Sequence, residues 1–250
     1  MPLNLSSWFA PAARNCPVCG RTASRGINPV SVPVKHPEPR RILTSLCGAC
    51  RQCIPWIAYP VCRICGRAER CEDCVRRQNR HYAFSRSAVR YDQRMKEWLA
   101  LYKYRGNEGL EGVLAAMLSF AYERLSEVSQ YGFDAVTAVP LAPERLRDRG
   151  YNQAERLATR LAEWYGLNYR PLLLRLRHTE KQSLKNRRSR VTDMRGIFSA
   201  VPSDSISERI ILVDDIYTTG STLDECARVL TQAVQSGMSR EVYGVLWARS

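Results

Sequence analysis

The sequence predicts an α/β fold, a parallel sheet flanked by helices, behind a small cysteine-rich module at the N-terminus. Three observations predict it. The composition changes near residue 80, from a stretch rich in Cys, Pro and Arg to an ordinary globular pattern. Beyond that point, short apolar runs alternate with amphipathic segments, which argues for parallel strands joined by right-handed crossovers. The run Arg209 to Val213 carries consecutive apolar residues, the pattern of a strand buried on both faces.

Two domains are expected, residues 1–80 and 81–250. Residues 20–44 read as an exposed loop and residues 75–85 as a polar linker. Ser87 to Tyr91 is read as a strand, and Met95 to Tyr104 and Gly109 to Val128 as helices. Asp134 to Val139 is a short strand ended by Pro140. Asn152 to Tyr165 is an amphipathic helix with Leu157, Ala158, Leu161, Ala162 and Tyr165 on one face. After the strand at 209–213 come a helix at 222–235 and a last strand at 241–247.

The chain has 250 residues, 45% of them hydrophobic and 25% charged, enough for one medium core plus an appended module. No apolar run reaches the roughly 18 residues a membrane span requires, and no signal peptide is expected. The expected location is the cytoplasm. Net charge is +14, and residues 1–80 hold 13 Lys/Arg against 4 Asp/Glu. Such an excess favours phosphate-bearing partners.

Ten cysteines in a chain of this kind read as metal ligands before disulfides. Eight fall in C-x-x-C pairs: Cys16/Cys19, Cys47/Cys50, Cys62/Cys65 and Cys71/Cys74. Two intervening residues let one tight turn present both sulfurs to one ion, and two pairs complete a closed tetrahedral site. That is the chemistry of structural Zn²⁺, one ion or two. The sequential grouping, 16/19 with 47/50 and 62/65 with 71/74, is expected; crossed pairing stays open. Cys53 is read as a spare thiol and Cys226 as a small buried apolar residue.

The stretch from Arg209 to Thr222 (RIILVDDIYTTGST) is the most informative. A buried strand ends in two carboxylates, a turn of Thr, Gly and Ser follows, and a helix begins. Backbone N–H groups of such a turn converge on one spot and attract a phosphate. Thr218, Thr219, Ser221 and Thr222 add hydroxyls, and Gly220 lets the backbone approach closely. Asp214 and Asp215 suit a vicinal diol, since a carboxylate accepts two hydrogen bonds. Phosphate and diol together describe a ribose 5-phosphate group. A Walker B reading fails because the chain has no G-x-x-x-x-G-K-[ST].

This stretch resembles the signature of type I phosphoribosyltransferases. With the cysteine pairs ahead of it, nearly the whole chain resembles the ComF family of competence proteins. Leu46-Cys47-x-x-Cys50 followed by Cys62-x-x-Cys65-Gly66 is similar to that family's double zinc ribbon. Tyr102-Lys103-Tyr104-Arg105-Gly106 and Val139-Pro140-Leu141 with Arg149-Gly150-Tyr151-Asn152-Gln153 resemble its other motifs, as does the run through Gln182, Arg190 and Phe198. Asp193 stands where the family has asparagine, so no role is carried onto it. The resemblance implies a type I phosphoribosyltransferase-like fold and a pocket for phosphoribosyl diphosphate with Mg²⁺. Asp214 and Asp215 are then the catalytic candidates, and the segment after Val139 would hold the diphosphate.

Arg145 and Arg149 are candidate diphosphate partners because guanidinium groups match phosphate oxygens. Residues 175–195 contain eight Lys/Arg against two acids. By resemblance this is a loop that closes over the ligand, bringing Lys181 and Gln182 to the diphosphate; a nucleic-acid patch is the competing reading. Two functions from different classes remain. One is a factor in natural competence and DNA uptake that binds phosphoribosyl diphosphate and single-stranded DNA, with a DNA-uptake helicase or other competence proteins as partners. The other is an active phosphoribosyltransferase on an unidentified acceptor; a zinc-ribbon adaptor is a weaker third. No segment is assigned to an acceptor base.

Overall fold

Parallel pairing of four strands organises the chain. The computed structural model describes residues 15–22, 31–77, 79–105, 108–176, 195–202, 207–234 and 239–250. Lys181, Gln182 and the rest of the basic run 177–194 lie outside the described residues. The sheet comprises β1 (Ser85–Arg90), β2 (Ala135–Ala138), β5 (Ser207–Tyr217) and β6 (Ser239–Arg249), in the order β1-β6-β5-β2. All three pairings are parallel. Strands β3 (Leu173–Arg175) and β4 (Phe198–Ala200) form a separate antiparallel pair.

The period-2 geometry of a strand explains the two cores. Ile211 and Val213 of β5, with Tyr243, Val245 and Trp247 of β6, pack on one side. Ile210, Leu212, Val242 and Leu246 pack on the other. The first side is covered by α5 (Glu108–Ser126) and α7 (Gln153–Tyr165). Helix α5 is apolar almost all round, with Leu110, Val113, Leu114 and Ala115 through Leu118 fully buried, as a helix between two layers must be. Each such leucine contributes about 1.5–3 kcal/mol by leaving water. The second side is covered by α8 (Ser221–Gln232) and the β3–β4 pair.

Three expectations need correction. Residues 20–44 are not simply an exposed loop: α1 (Pro37–Thr44) forms within them and packs on α5, and Val32, Val34 and Leu43 are buried. The chain is fixed there because Glu123 of α5 accepts the N–H groups of Lys35 (2.8 Å) and His36 (2.9 Å) and the Tyr165 hydroxyl (2.7 Å). Segment 75–85 is not a solvated linker. Tyr82 is buried, and the N–H of Ala83 bonds the Val242 carbonyl at 2.8 Å. Finally, β5 runs to Tyr217, so Asp214 and Asp215 lie within the strand and not past its end. The reason is its neighbour, since β6 continues to Arg249 and supplies pairing partners that far.

Candidate functional site

The carboxyl ends of β2 and β5 open onto one cleft of about 290 Å³. A parallel sheet places ligands at this edge. Asp214 and Asp215 line the cleft with Thr218 and Thr222 from the turn, Val139, Pro140, Leu141 and Arg145 after β2, and Lys103, Gln153 and Arg175.

Strand alternation gives the two acids different surroundings. Asp215 follows Val213 in register and faces α7, where the Gln153 amide donates to it at 3.2 Å and the Lys103 ammonium lies at 2.5 Å. Burial pushes its carboxyl upward, but the charge and hydrogen bond of Lys103, with Gln153, outweigh that and hold it below the usual carboxylate range. Asp214 faces the other way, beside the turn. Burial and the neighbouring charge of Asp215 push Asp214 upward, so it keeps its proton more readily than an ordinary aspartate. Its Oδ1 accepts the N–H of Asp215 at 2.8 Å.

The turn is shaped by Gly220, whose φ of +79° places it in the left-handed region at the N-cap of α8. A Cβ there would lie 2.2 Å from the Tyr217 hydroxyl. Thr219 and Ser221 hydroxyls bond each other at 2.9 Å. With Asp214, Thr218, Thr222 and Gly220 they surround a small hollow against the start of α8. The converging amides and helix N-terminus suit an anion.

The motif Arg149-Gly150-Tyr151-Asn152-Gln153 is a set of positioning contacts. Gly150 ends α6 (Pro143–Arg149) with a φ of +81°. Asn152 caps α7 through the N–H of Ala154 and donates its amide to the Val139 carbonyl at 3.0 Å, tying the segment after β2 to the helix. Arg149 does not line the cleft; it bonds Gln153 and lies over the Tyr104 ring. Arg145 and Arg175 line it instead. Burial, and then the charge of Arg145, push Arg175 downward, so the two guanidinium groups feel each other across the cleft.

The cysteines fall into two groups. Cys16, Cys19, Cys47 and Cys50 form one and Cys62, Cys65, Cys71 and Cys74 the other, with ligand atoms of each group within 4.8 Å of one another. Each group can hold a metal ion, in the sequential grouping expected. Cys53 turns away and donates to the Cys50 carbonyl at 3.0 Å. Cys226 is fully buried in the core on the α8 side.

Comparison with known proteins places the chain. Competence protein ComFC of Streptococcus pneumoniae is 31% identical over 223 residues, 87% of this chain and 94% of the relative. The chain belongs to the ComF family. Competence protein ComFC of Bacillus subtilis is 31% identical over 202 residues, 75% of this chain and 78% of that one. No family model matches. Among solved structures, glutamine phosphoribosylpyrophosphate amidotransferase from B. subtilis, complexed with ADP and GMP, is 19% identical with a TM-score of 0.35. The likeness covers 65% of this chain and 32% of that one, so the chain spans about a third of that enzyme's length.

For this ComF-family chain, residue-level reading of the sequence found the turn and the acids but missed three members of the site. Lys103 entered only as part of a motif, Gln153 likewise, and Arg175 only within a basic run. No local pattern marks a lysine five residues before a glutamate-led helix as the partner of an acid 112 positions later; the ion pair exists only in the folded chain. The described residues include no helix long and apolar enough to cross a membrane.

Proposed function

We propose that this ComF-family protein binds phosphoribosyl diphosphate with Mg²⁺ in the cleft, and that it acts in natural competence and DNA uptake through single-stranded DNA. One observation carries the ligand reading: a Thr/Gly/Ser turn, Asp214 and the guanidinium groups of Arg145 and Arg175 meet in one cleft. The turn takes the 5-phosphate, Asp214 takes the ribose hydroxyls, and the arginines take the diphosphate, whose charge Mg²⁺ helps to neutralise. Asp215, held by Lys103 and Gln153, anchors the strand end. Zn²⁺ is the ion that fits four thiolates with no open position at each cysteine group. The cytoplasm suits ten cysteines of which eight gather as metal ligands and none forms a disulfide. The competence role rests on the names of the relatives and the DNA reading on the basic run 175–195.

Titration of the full chain with Mg²⁺ and phosphoribosyl diphosphate in a calorimeter tests the ligand. Arg145→Met is expected to weaken binding by about tenfold or more, the value of one charge-assisted contact. Equal affinity of the variant, or no heat from the wild type, refutes the assignment. For DNA, affinity for an oligodeoxythymidine should fall steeply with salt. Neutralising Lys181, Lys185, Arg187 and Arg188 should flatten the slope by about 0.7 per lost phosphate contact. An unchanged slope removes the basic run from the DNA site. Diphosphate released in the presence of an added base or amine would favour the transferase reading.

A further inference from the structure

We infer that the second cysteine group, and not the first, is the structural backing of the phosphate turn, with Arg249 as the positioning residue that joins the two. The inference rests on the ligand reading above for its affinity readout and on geometry alone for the rest.

The two groups occupy different sides of the molecule. Cys16 and Cys47 belong to the core that α5 and α7 build. Cys65, Cys71 and Cys74 belong to the opposite core, with Tyr217 and Tyr82. The knuckle of the second group is fixed to the sheet: Ser85 N–H bonds the Ile64 carbonyl at 2.7 Å, and Arg86 bonds the Arg63 carbonyl at 3.1 Å. Gly66 is required there, because a Cβ would lie 2.8 Å from the Ser85 carbonyl and its φ is +67°.

Around this anchored group, three side chains reach the turn. Arg249 is 4% exposed. One of its terminal nitrogens donates to the Thr218 carbonyl at 2.8 Å and the Tyr217 carbonyl at 3.2 Å; the other lies 4.0 Å from the Cys65 sulfur. Its guanidinium carbon also sits 4.4 Å above the Tyr217 ring. Arg77, just after the helix that carries Cys74, donates to the Thr219 carbonyl at 3.2 Å. Tyr82 and Tyr217 share a hydroxyl bond at 2.8 Å. Three successive carbonyls of the turn, 217 to 219, are thus held from behind by cations, which leaves the opposite side of the turn to present its amides to a ligand. Four thiolates this close repel one another unless a cation sits among them, so a bound ion would fix Cys65 and Cys74 and, through them, the turn. Arg249 stands as an outer-shell partner of the ion, a class whose loss costs roughly 10- to 100-fold in metal affinity.

The test compares the zinc-loaded full chain with Arg249→Met, Cys74→Ser in the second group and Cys50→Ser in the first. Three quantities are read: zinc per chain, amide hydrogen exchange from Tyr217 to Asp224 without ligand, and affinity for Mg²⁺ with phosphoribosyl diphosphate. Arg249→Met and Cys74→Ser are expected to speed exchange in that segment and weaken the ligand, each by about tenfold or more. Cys50→Ser is expected to lose one zinc and leave both readouts near wild type. Wild-type exchange in both Arg249→Met and Cys74→Ser overturns the inference, and so does an equal effect of Cys50→Ser. Should Cys74→Ser fail to fold, Arg249→Met beside Arg77→Ala decides it alone. A wild type that binds no phosphoribosyl diphosphate sinks the proposed ligand, while the exchange comparison still judges the role of Arg249.

Discussion

Asp214→Asn is expected to make the protein more stable at neutral pH and at the same time to weaken phosphoribosyl diphosphate by about 10- to 100-fold, the range for losing one hydrogen bond to a charged group. Both effects come from one cause. Burial and the charge of Asp215 raise the Asp214 carboxyl in the folded chain. Between the ordinary carboxylate range and about 8, the fold therefore holds a proton that the unfolded chain has released. Fewer protons on the unfolded chain mean that stability falls as pH rises through that window. Asparagine keeps an oxygen to accept the Asp215 N–H and carries no charge to bury, so this fall should disappear. A rise in melting temperature of about 2–4 °C would correspond to 1 kcal/mol at this chain length. Ligand binding should run the other way, strengthening as pH rises and Asp214 ionises. Calorimetry at pH 7 in two buffers of different ionisation enthalpy should show a proton released on binding by the wild type and none by the variant. Equal proton counts would remove Asp214 from the ligand site. Asp215→Asn provides the contrast: its folded carboxyl is lowered, so its contribution is present at neutral pH and is lost as pH falls through the folded value. Its loss would leave Lys103 unpaired in the cleft wall, and this variant should be destabilised.

The sheet and the turn were legible in the sequence for a local reason. Ile210 through Val213 can be a strand buried on both faces, and Thr-Thr-Gly-Ser-Thr can only be a turn before a helix, because each step is decided within a few residues. The cysteine grouping was legible because C-x-x-C is a local geometry repeated four times. What remained hidden is set by pairing across the chain. Strand β5 is longer than its apolar run because β6 supplies a neighbour as far as Arg249, and that extra length turns Asp214 and Asp215 to opposite faces. Helix α1 is hidden for the same reason. It carries little apolar content of its own, and its segment is fixed by Glu123, 87 and 88 residues from the two N–H groups it accepts. Lys103 and Arg249 are ordinary basic residues in sequence; their partners, Asp215 and the carbonyls of Tyr217 and Thr218, come together only through tertiary packing.

Gly220→Ala is expected to lower stability by about 3 kcal/mol, combining a left-handed backbone cost with overlap against a buried ring. The first part follows from the φ of +79°. The second is larger than a surface glycine would incur. The added methyl would lie 2.2 Å from the Tyr217 hydroxyl and 2.5 Å from the carbon that bears it. The ring has little freedom to yield: it is 4% exposed, its hydroxyl bonds Tyr82 at 2.8 Å, and the Arg249 guanidinium covers its face. A double-mutant cycle separates the two parts. Tyr217→Ala removes the obstruction, so in that background Gly220→Ala should cost only the backbone part, about 1–2 kcal/mol. The coupling energy should then be on the order of 1–2 kcal/mol, with the second substitution milder than the first alone. Additive melting shifts would mean that the ring moves aside freely. In that case Tyr217 is not the floor of the turn, and glycine is required at 220 for its backbone alone.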